Sequence, residues 1–239
     1  MTALSRTVRR ASGLWTPDEG GGGGSGLNLT NVGATLVASG GVSAHVMNNS
    51  YWDTDAGYLS GGTADILKAI TTAMTVVYWI NQPGYSPNFS RHWSIGDDIR
   101  MRQNGSLEAR VSGDLNDPSV SFSTPNVLSV GNWSMLAMIW NGSHLQCVHF
   151  LSADATTIRN EDSGQTDYPI GWSPSSEYTI GDRPQKITPP IWFDSVLTES
   201  NLNSIYFASS SAAFEPTVLG FGPIHFVNEA DGLTDTLGV

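Results

Sequence analysis

The chain has 239 residues, 14% charged and 10% aromatic, with 26 Gly; one large β domain fills that length, and the mixture suits strands and tight turns and excludes a helical bundle. Its formal charge of −11 excludes nucleic acid as an expected partner, because a phosphate backbone is held by clustered Lys and Arg that displace its counterions. No segment reaches the roughly 18 apolar residues of a membrane span, and residues 1–19 contain Arg without a continuous apolar run, so neither a membrane partner nor Sec export is expected.

In chain order, the first 17 residues carry +3 from Arg6, Arg9 and Arg10, whereas residues 20–239 hold 20 acidic against 8 basic side chains, a net of −12. Leu14 and Trp15 follow as apolar anchors, and Gly20 to Gly24 with Ser25 and Gly26 make a flexible connector that cannot pack a core. Residues 1–26 therefore read as a basic arm and linker. The arm suits docking on an acidic neighbour through Arg6, Arg9, Arg10, Leu14 and Trp15, or else is an idle solubilising tail.

From Leu27 onward, short apolar or alternating runs between turn signals predict strands over 28–36, 74–80, 99–102, 107–111, 136–140, 145–151 and 178–180. Asn104-Gly105 and Asn141-Gly142 lie between such runs and predict hairpins with type I′ turns, while Pro83-Gly84 marks a turn after a strand. Helical periodicity is confined to 199–206, with Thr198 as N-cap, and to 64–70. Cys147 is the only cysteine, and its apolar run predicts a buried thiol and no internal disulfide. Beyond residue 207, Phe214, Leu219, Phe221, Ile224, Phe226 and Val227 make the C-terminal extension too apolar for a solvated tail, so it is expected to pack on the domain or on a neighbour.

Four landmarks stand in a familiar order: Val77-Tyr78-Trp79-Ile80, then Gly131-Asn132-Trp133 running to Trp140-Asn141-Gly142, then Tyr178-Thr179-Ile180-Gly181-Asp182, then Ile191-Trp192-Phe193-Asp194 with Leu197-Thr198-Glu199. This succession resembles laminin-G-like and pentraxin-like domains of the concanavalin-A-like lectin and glucanase group. The resemblance covers roughly Leu27 to Phe207 and implies an all-β fold, a two-sheet antiparallel jelly-roll sandwich over 27–207, with the arm at 1–26 and the extension at 208–239. Trp79, Trp133 and Trp192 are expected to fill the core between the two sheets.

The resemblance also brings enzymes into view. Its glucanase members usually carry their two carboxylates on one strand as Glu-x-Asp-x-x-Glu, so that alternation turns them to one face. No such pattern occurs here: Glu19, Glu108, Glu161, Glu177, Glu199, Glu215 and Glu229 are scattered, and no catalytic residue and no enzymatic activity are expected. Calcium at a loop edge is a family possibility, with Asp53 and Asp55 or Asp97 and Asp98 as the available pairs, but solvated or backbone-capping carboxylates are the preferred reading and no cofactor is expected. His45, His92, His144, His149 and His225 show no zinc spacing. For a glycan, ring faces in loops are the useful groups, and the candidates are Tyr85 and Trp93, with Phe89, in the long segment 81–98, and Tyr168 and Trp172 before the strand at 178–180.

Three readings follow. The preferred one is a structural display protein of a larger assembly, a tailed-phage virion component on capsid or tail, docked by the arm and the C-terminal extension onto other capsid or tail subunits. A glycan-binding adhesion module that meets host-surface polysaccharide is the second. A glycan-cleaving enzyme is the third, and it needs a carboxylate pair that only folding could bring together.

Overall fold

The structure is a computed structural model that describes residues 27, 29–37, 51–63, 65–68, 70, 72–82, 90–103, 107–111, 120–124, 128, 130–151, 157–162, 173 and 175–208. The basic arm, and the C-terminal extension except Ala208, lie outside the described residues.

Among these residues fifteen strands, numbered in chain order, build two sheets. One has seven strands in the order β1 (Thr30–Val32), β4 (Tyr58–Ser60), β13 (Tyr178–Ile180), β6 (Ser90–Ile95), β7 (Ile99–Gln103), β8 (Leu107–Val111), β9 (Val120–Thr124). The other has eight. It runs β12 (Thr157–Asp162), β11 (Leu145–Leu151), β10 (Trp133–Trp140), β5 (Met74–Asn81), β14 (Lys186–Ile187), β3 (Tyr51–Asp53), β2 (Thr35–Val37), and β15 (Ile191–Phe193) also pairs with β5. Every ladder between named strands is antiparallel, and the fold is the all-β two-sheet sandwich that the sequence predicts.

The pleat decides which residues meet between the sheets. Successive side chains of a strand point to opposite faces, so Val76, Tyr78 and Ile80 of β5 and Leu136, Met138 and Trp140 of β10 join Trp93, Ile95, Ile99, Met101, Ala109 and Tyr178 of the facing sheet in one apolar core. The alternate residues Val77, Trp79, Trp133, Met135, Ala137 and Ile139 form a second core on the far face of the eight-stranded sheet. There α2 (Glu199–Ala208) covers them with Leu202, Ile205 and Tyr206. Both central strands are consequently buried at all eight positions, the mark of a strand packed on both faces.

This corrects one expectation: only Trp192 of the three tryptophans lies between the sheets. Trp79 and Trp133 are buried under the helix side instead. The neighbouring Tyr78 takes the inward position that Trp79 was expected to fill, because a one-residue step along a strand changes the face.

Helix α2 starts where the sequence predicts. Thr198 Oγ1 accepts from the Asn201 N–H at 3.2 Å and the Asn201 Oδ1 accepts from the Thr198 N–H at 3.0 Å, a reciprocal cap that satisfies two otherwise orphan donors. The second helical prediction survives as one short turn, α1 (Asp65–Lys68).

Both Asn-Gly hairpins form, with longer connections than expected. Gln103 pairs with Leu107 and Trp140 with Leu145, leaving three and four residues between strands where a type I′ turn has two. At the second, Asn141 Oδ1 gathers the backbone N–H groups of Ser143 and His144 at 3.0 and 2.7 Å, an Asx arrangement that closes the wider loop. Two prolines explain another break. Pro189 and Pro190 have no N–H to give a ladder, so the strand beside β5 is interrupted between β14 and β15, and the Thr188 hydroxyl takes over by accepting the Trp79 N–H at 3.1 Å.

Candidate functional site

On β7 and β8 the sequence alternates strictly, Ile99-Arg100-Met101-Arg102 and Leu107-Glu108-Ala109-Arg110-Val111. Ile99, Met101, Leu107, Ala109 and Val111 belong to the inter-sheet core, so Arg100, Arg102, Glu108 and Arg110 occupy the other face of the seven-stranded sheet. The register sets Arg100 opposite Arg110 and Arg102 opposite Glu108.

Glu108 is shared. Its Oε2 lies 2.6 Å from Arg102 Nη2 and its Oε1 3.4 Å from Arg100 Nη2. Arg100 also reaches Asp97 Oδ1 at 3.1 Å, and the same oxygen holds Arg91 Nη2 at 3.1 Å. Arg91 leans further to Asp182, whose Oδ1 accepts the Arg91 backbone N–H at 2.7 Å. The centre of the cluster is recessed, with the Arg100 side chain 10% exposed and Arg102 and Glu108 each 19% exposed, while Asp97 and Arg91 at its margin reach solvent. Burial lowers the Arg100 pKa, Arg102 and Arg110 lower it further by like-charge repulsion, and Glu108 opposes them. Burial likewise raises the Asp182 carboxyl, against the pull of Arg91.

A row of polar residues extends from this cluster across the sheet. Ser60 of β4 pairs with Thr179 of β13, Thr179 with Ser94 of β6, Ser94 with Arg100, and Arg100 with Arg110. The Ser94 and Thr179 hydroxyls are 3.0 Å apart. Five strands thus align hydroxyls at one end with guanidinium groups at the other.

Behind the row, a polar group is enclosed in the core. The ladder between β6 and β7 shifts register between Arg91 and Trp93, and His92 is the extra residue. Its Nδ1 lies 2.7 Å from the Tyr78 hydroxyl and its Nε2 3.2 Å from Gln82 Nε2. Burial pushes the His92 imidazole down to about 3 and the Tyr78 hydroxyl well up, so both are neutral near pH 7 and act as a hydrogen-bonded core.

Trp93 is the one candidate glycan residue inside the described region, and the structure corrects its placement. It lies on β6, fully buried, with its ring edge-on to Trp192 at 5.0 Å, where no surface sugar reaches it. The bulge is the physical reason for the misreading, since two successive inward residues, His92 and Trp93, break the alternation that marks a strand. Tyr85, Phe89, Tyr168 and Trp172, and the docking candidates Arg6, Arg9, Arg10, Leu14 and Trp15, lie outside the described residues.

The acidic pairs considered for calcium have protein partners. Asp53 Oδ1 accepts the Asp55 N–H at 3.1 Å, Asp97 holds the two arginines, and Asp98 Oδ2 accepts from the Ser173 N–H at 2.9 Å and the Ser176 hydroxyl at 2.7 Å. Among the described residues no group of three or more His, Cys, Asp or Glu converges to hold a metal ion. The arginine and glutamate cluster escaped the sequence reading, which took Glu108 as a lone carboxylate. Its signal was present in the alternation of charged residues on two strands joined at Asn104-Gly105.

No protein-family model matches the sequence, and no curated protein matches it. Solved structures do. Full-length tailspike protein 2 of an Escherichia coli O157:H7 bacteriophage superposes with a TM-score of 0.54 at 14% identity, over 79% of this chain and 28% of that one. The chain shares its fold. The enzymatically active domain of bacteriophage CBA120 tailspike protein 2 gives 0.54 at 14% identity, over 80% and 32%. A mutant of Trypanosoma rangeli sialidase displaying trans-sialidase activity gives 0.50 at 11%, over 78% and 30%. This chain spans less than a third of the length of each of these proteins.

These likenesses correct the expectation of a chain without enzymatic activity. That expectation rested on one missing strand-borne carboxylate pattern, yet the same sandwich occurs in a tailspike's enzymatically active domain and in a sialidase. Catalytic groups are grafted onto a fold in more than one way, so the absence of Glu-x-Asp-x-x-Glu does not exclude catalysis.

Proposed function

We propose that this chain is a glycan-contacting sandwich, of the laminin-G or concanavalin-A-like type, in a tailed-phage virion protein. Host-surface polysaccharide is its ligand, and residues 1–26 and 208–239 attach it to capsid or tail subunits. The polar row across the seven-stranded sheet carries the reading: its half-buried members Ser60, Thr179 and Arg110 offer hydroxyls and a guanidinium that suit the dense hydrogen-bonding surface of a saccharide, with Ser94 and Arg100 buried between them, while the inward alternates keep the sheet folded. Likeness to a phage tailspike, in full length and in its enzymatically active domain, supports the virion context.

The test has two arms. The purified full chain is passed over immobilised capsule and lipopolysaccharide from candidate host bacteria, with release of reducing sugar followed in the same incubation. Retention that free polysaccharide competes away is expected, whereas failure to bind any surface polysaccharide refutes the glycan reading. Mass spectrometry of purified particles is expected to find the chain, and its absence there refutes the virion reading.

A further inference from the structure

Three guanidinium groups lie on the β7 and β8 face, and only two of them meet its one carboxylate, Glu108. Arg102 and Arg100 both lean on Glu108, and Arg100 has Asp97 in addition. Arg110, directly across the ladder from Arg100, has none: among the described residues no carboxylate lies within ion-pair distance of it. Its Nε is buried and makes no hydrogen bond. A buried donor left without a partner is costly to keep, and more so when it belongs to a cation. Repulsion from Arg102 and Arg110 already lowers the basicity of Arg100, so the cluster gains from one more negative group beside Arg110. A guanidinium presents a planar fork that a carboxylate fits with two parallel hydrogen bonds.

We infer that Arg110 and Arg100 form an anion subsite that takes the carboxylate of an acidic saccharide, whose uncharged hydroxyls run along the half-buried Thr179 and Ser60. This rests on the glycan reading above and narrows it to an acidic class. The row crosses five strands, ~19 Å at about 4.8 Å per strand, which suits an oligosaccharide. The whole chain's charge of −11 argues against a ligand with an anion at every step, such as nucleic acid, since repulsion from the rest of the protein then opposes each added charge. A saccharide with its carboxylates spaced along the chain meets the cation locally and feels less of the distant field, which decays over about 8 Å at physiological salt.

The experiment uses the full chain and two variants, Arg110→Gln and Arg110→Lys, each checked for an unchanged melting temperature. Its probes are a polyuronate and a polysialate, each paired with its carboxyl-reduced neutral form, and a double-stranded DNA. At least one acidic polymer is expected to bind about tenfold or more tightly than its reduced form, the scale of a charge-assisted hydrogen bond. Which one binds tells a uronate from a sialate. Arg110→Gln is expected to erase that preference, and Arg110→Lys, which keeps the charge and loses the fork, to restore part of it. Equal binding of acidic and reduced polymers overturns the acidic subsite and leaves the glycan reading standing, as does a folded Arg110→Gln that keeps the full preference. Tighter binding of DNA than of any acidic saccharide overturns the inference in favour of phosphate. Absence of binding to every saccharide, acidic or neutral, overturns the inference and the glycan reading together.

Discussion

Trp192 shows how much one side chain can hold. It is fully buried between the sheets, its ring meets Trp93 at 5.0 Å and Tyr178 at 5.7 Å, and its Nε1–H donates to the Tyr178 hydroxyl at 3.0 Å. Aromatic pairs in edge-to-face contact add to the area they bury, and truncation leaves a cavity that the surrounding β-ladders cannot collapse. Trp192→Ala is therefore expected to cost about 3 to 5 kcal/mol, read as a lower denaturant midpoint. Trp192→Phe should lose less, because the ring contacts survive and only the indole hydrogen bond goes. An unchanged midpoint for the alanine variant would contradict the inter-sheet placement. At this scale the sequence told which residues are buried better than it told where: apolarity marks burial, but the face depends on register, and Trp79 and Trp133 differ from Trp192 only in that.

Among the elements, strands with an unbroken apolar or alternating run were legible, and interrupted or bulged ones were not. β8, β11 and β13 begin and end where their apolar runs do. β14 is two residues, its partner selected by β5 and not by its own sequence, and β6 is hidden by its bulge. Helix α2 was legible from its cap as much as from its apolar spacing. That cap matters because the helix seals the far core, with Leu202 and Ile205 fully buried beneath it. Thr198→Ala removes the side-chain acceptor for the Asn201 N–H and is expected to lower stability by about 1 kcal/mol. Calorimetry or denaturant titration checks this, and Thr198→Ser, which retains the hydroxyl, should behave nearly as wild type.

For the molecule as a whole, acid is the informative stress. His92 and His149 are buried in the inter-sheet region and on β11, and burial pushes their imidazoles down to about 3 and about 4. In the unfolded chain both titrate near 6.5. Below that pH the unfolded state binds protons that the native state refuses, so stability falls as pH falls from about 6.5 toward 4. Each histidine contributes up to about 1.4 kcal/mol per pH unit in that window. The raised pKa values of Asp182 and Asp194 act in the opposite direction at the acidic end, so the histidine effect is cleanest between pH 7 and 5.5. Melting temperatures are expected to drop across that range, with a shallower slope in His149→Gln; a slope unchanged by this substitution would place the acid sensitivity elsewhere. The landmarks in order made the overall fold legible. The site was harder, since Arg91 and Asp182 meet across ninety-one positions of sequence, and only the folded sheet brings the bulge, the loop carboxylates and the two alternating strands to one place.

Cys147 gives the molecule an internal gauge. It is the only cysteine in the chain, it faces the inter-sheet core, and burial pushes its thiol up to about 12. A thiol reagent needs the thiolate in contact with solvent, so it reaches this sulfur only when the two sheets part. The rate of alkylation then counts separation events directly, without an added probe. A bound ligand that bridges strands of the seven-stranded sheet would slow labelling if that sheet must distort before the sandwich can open.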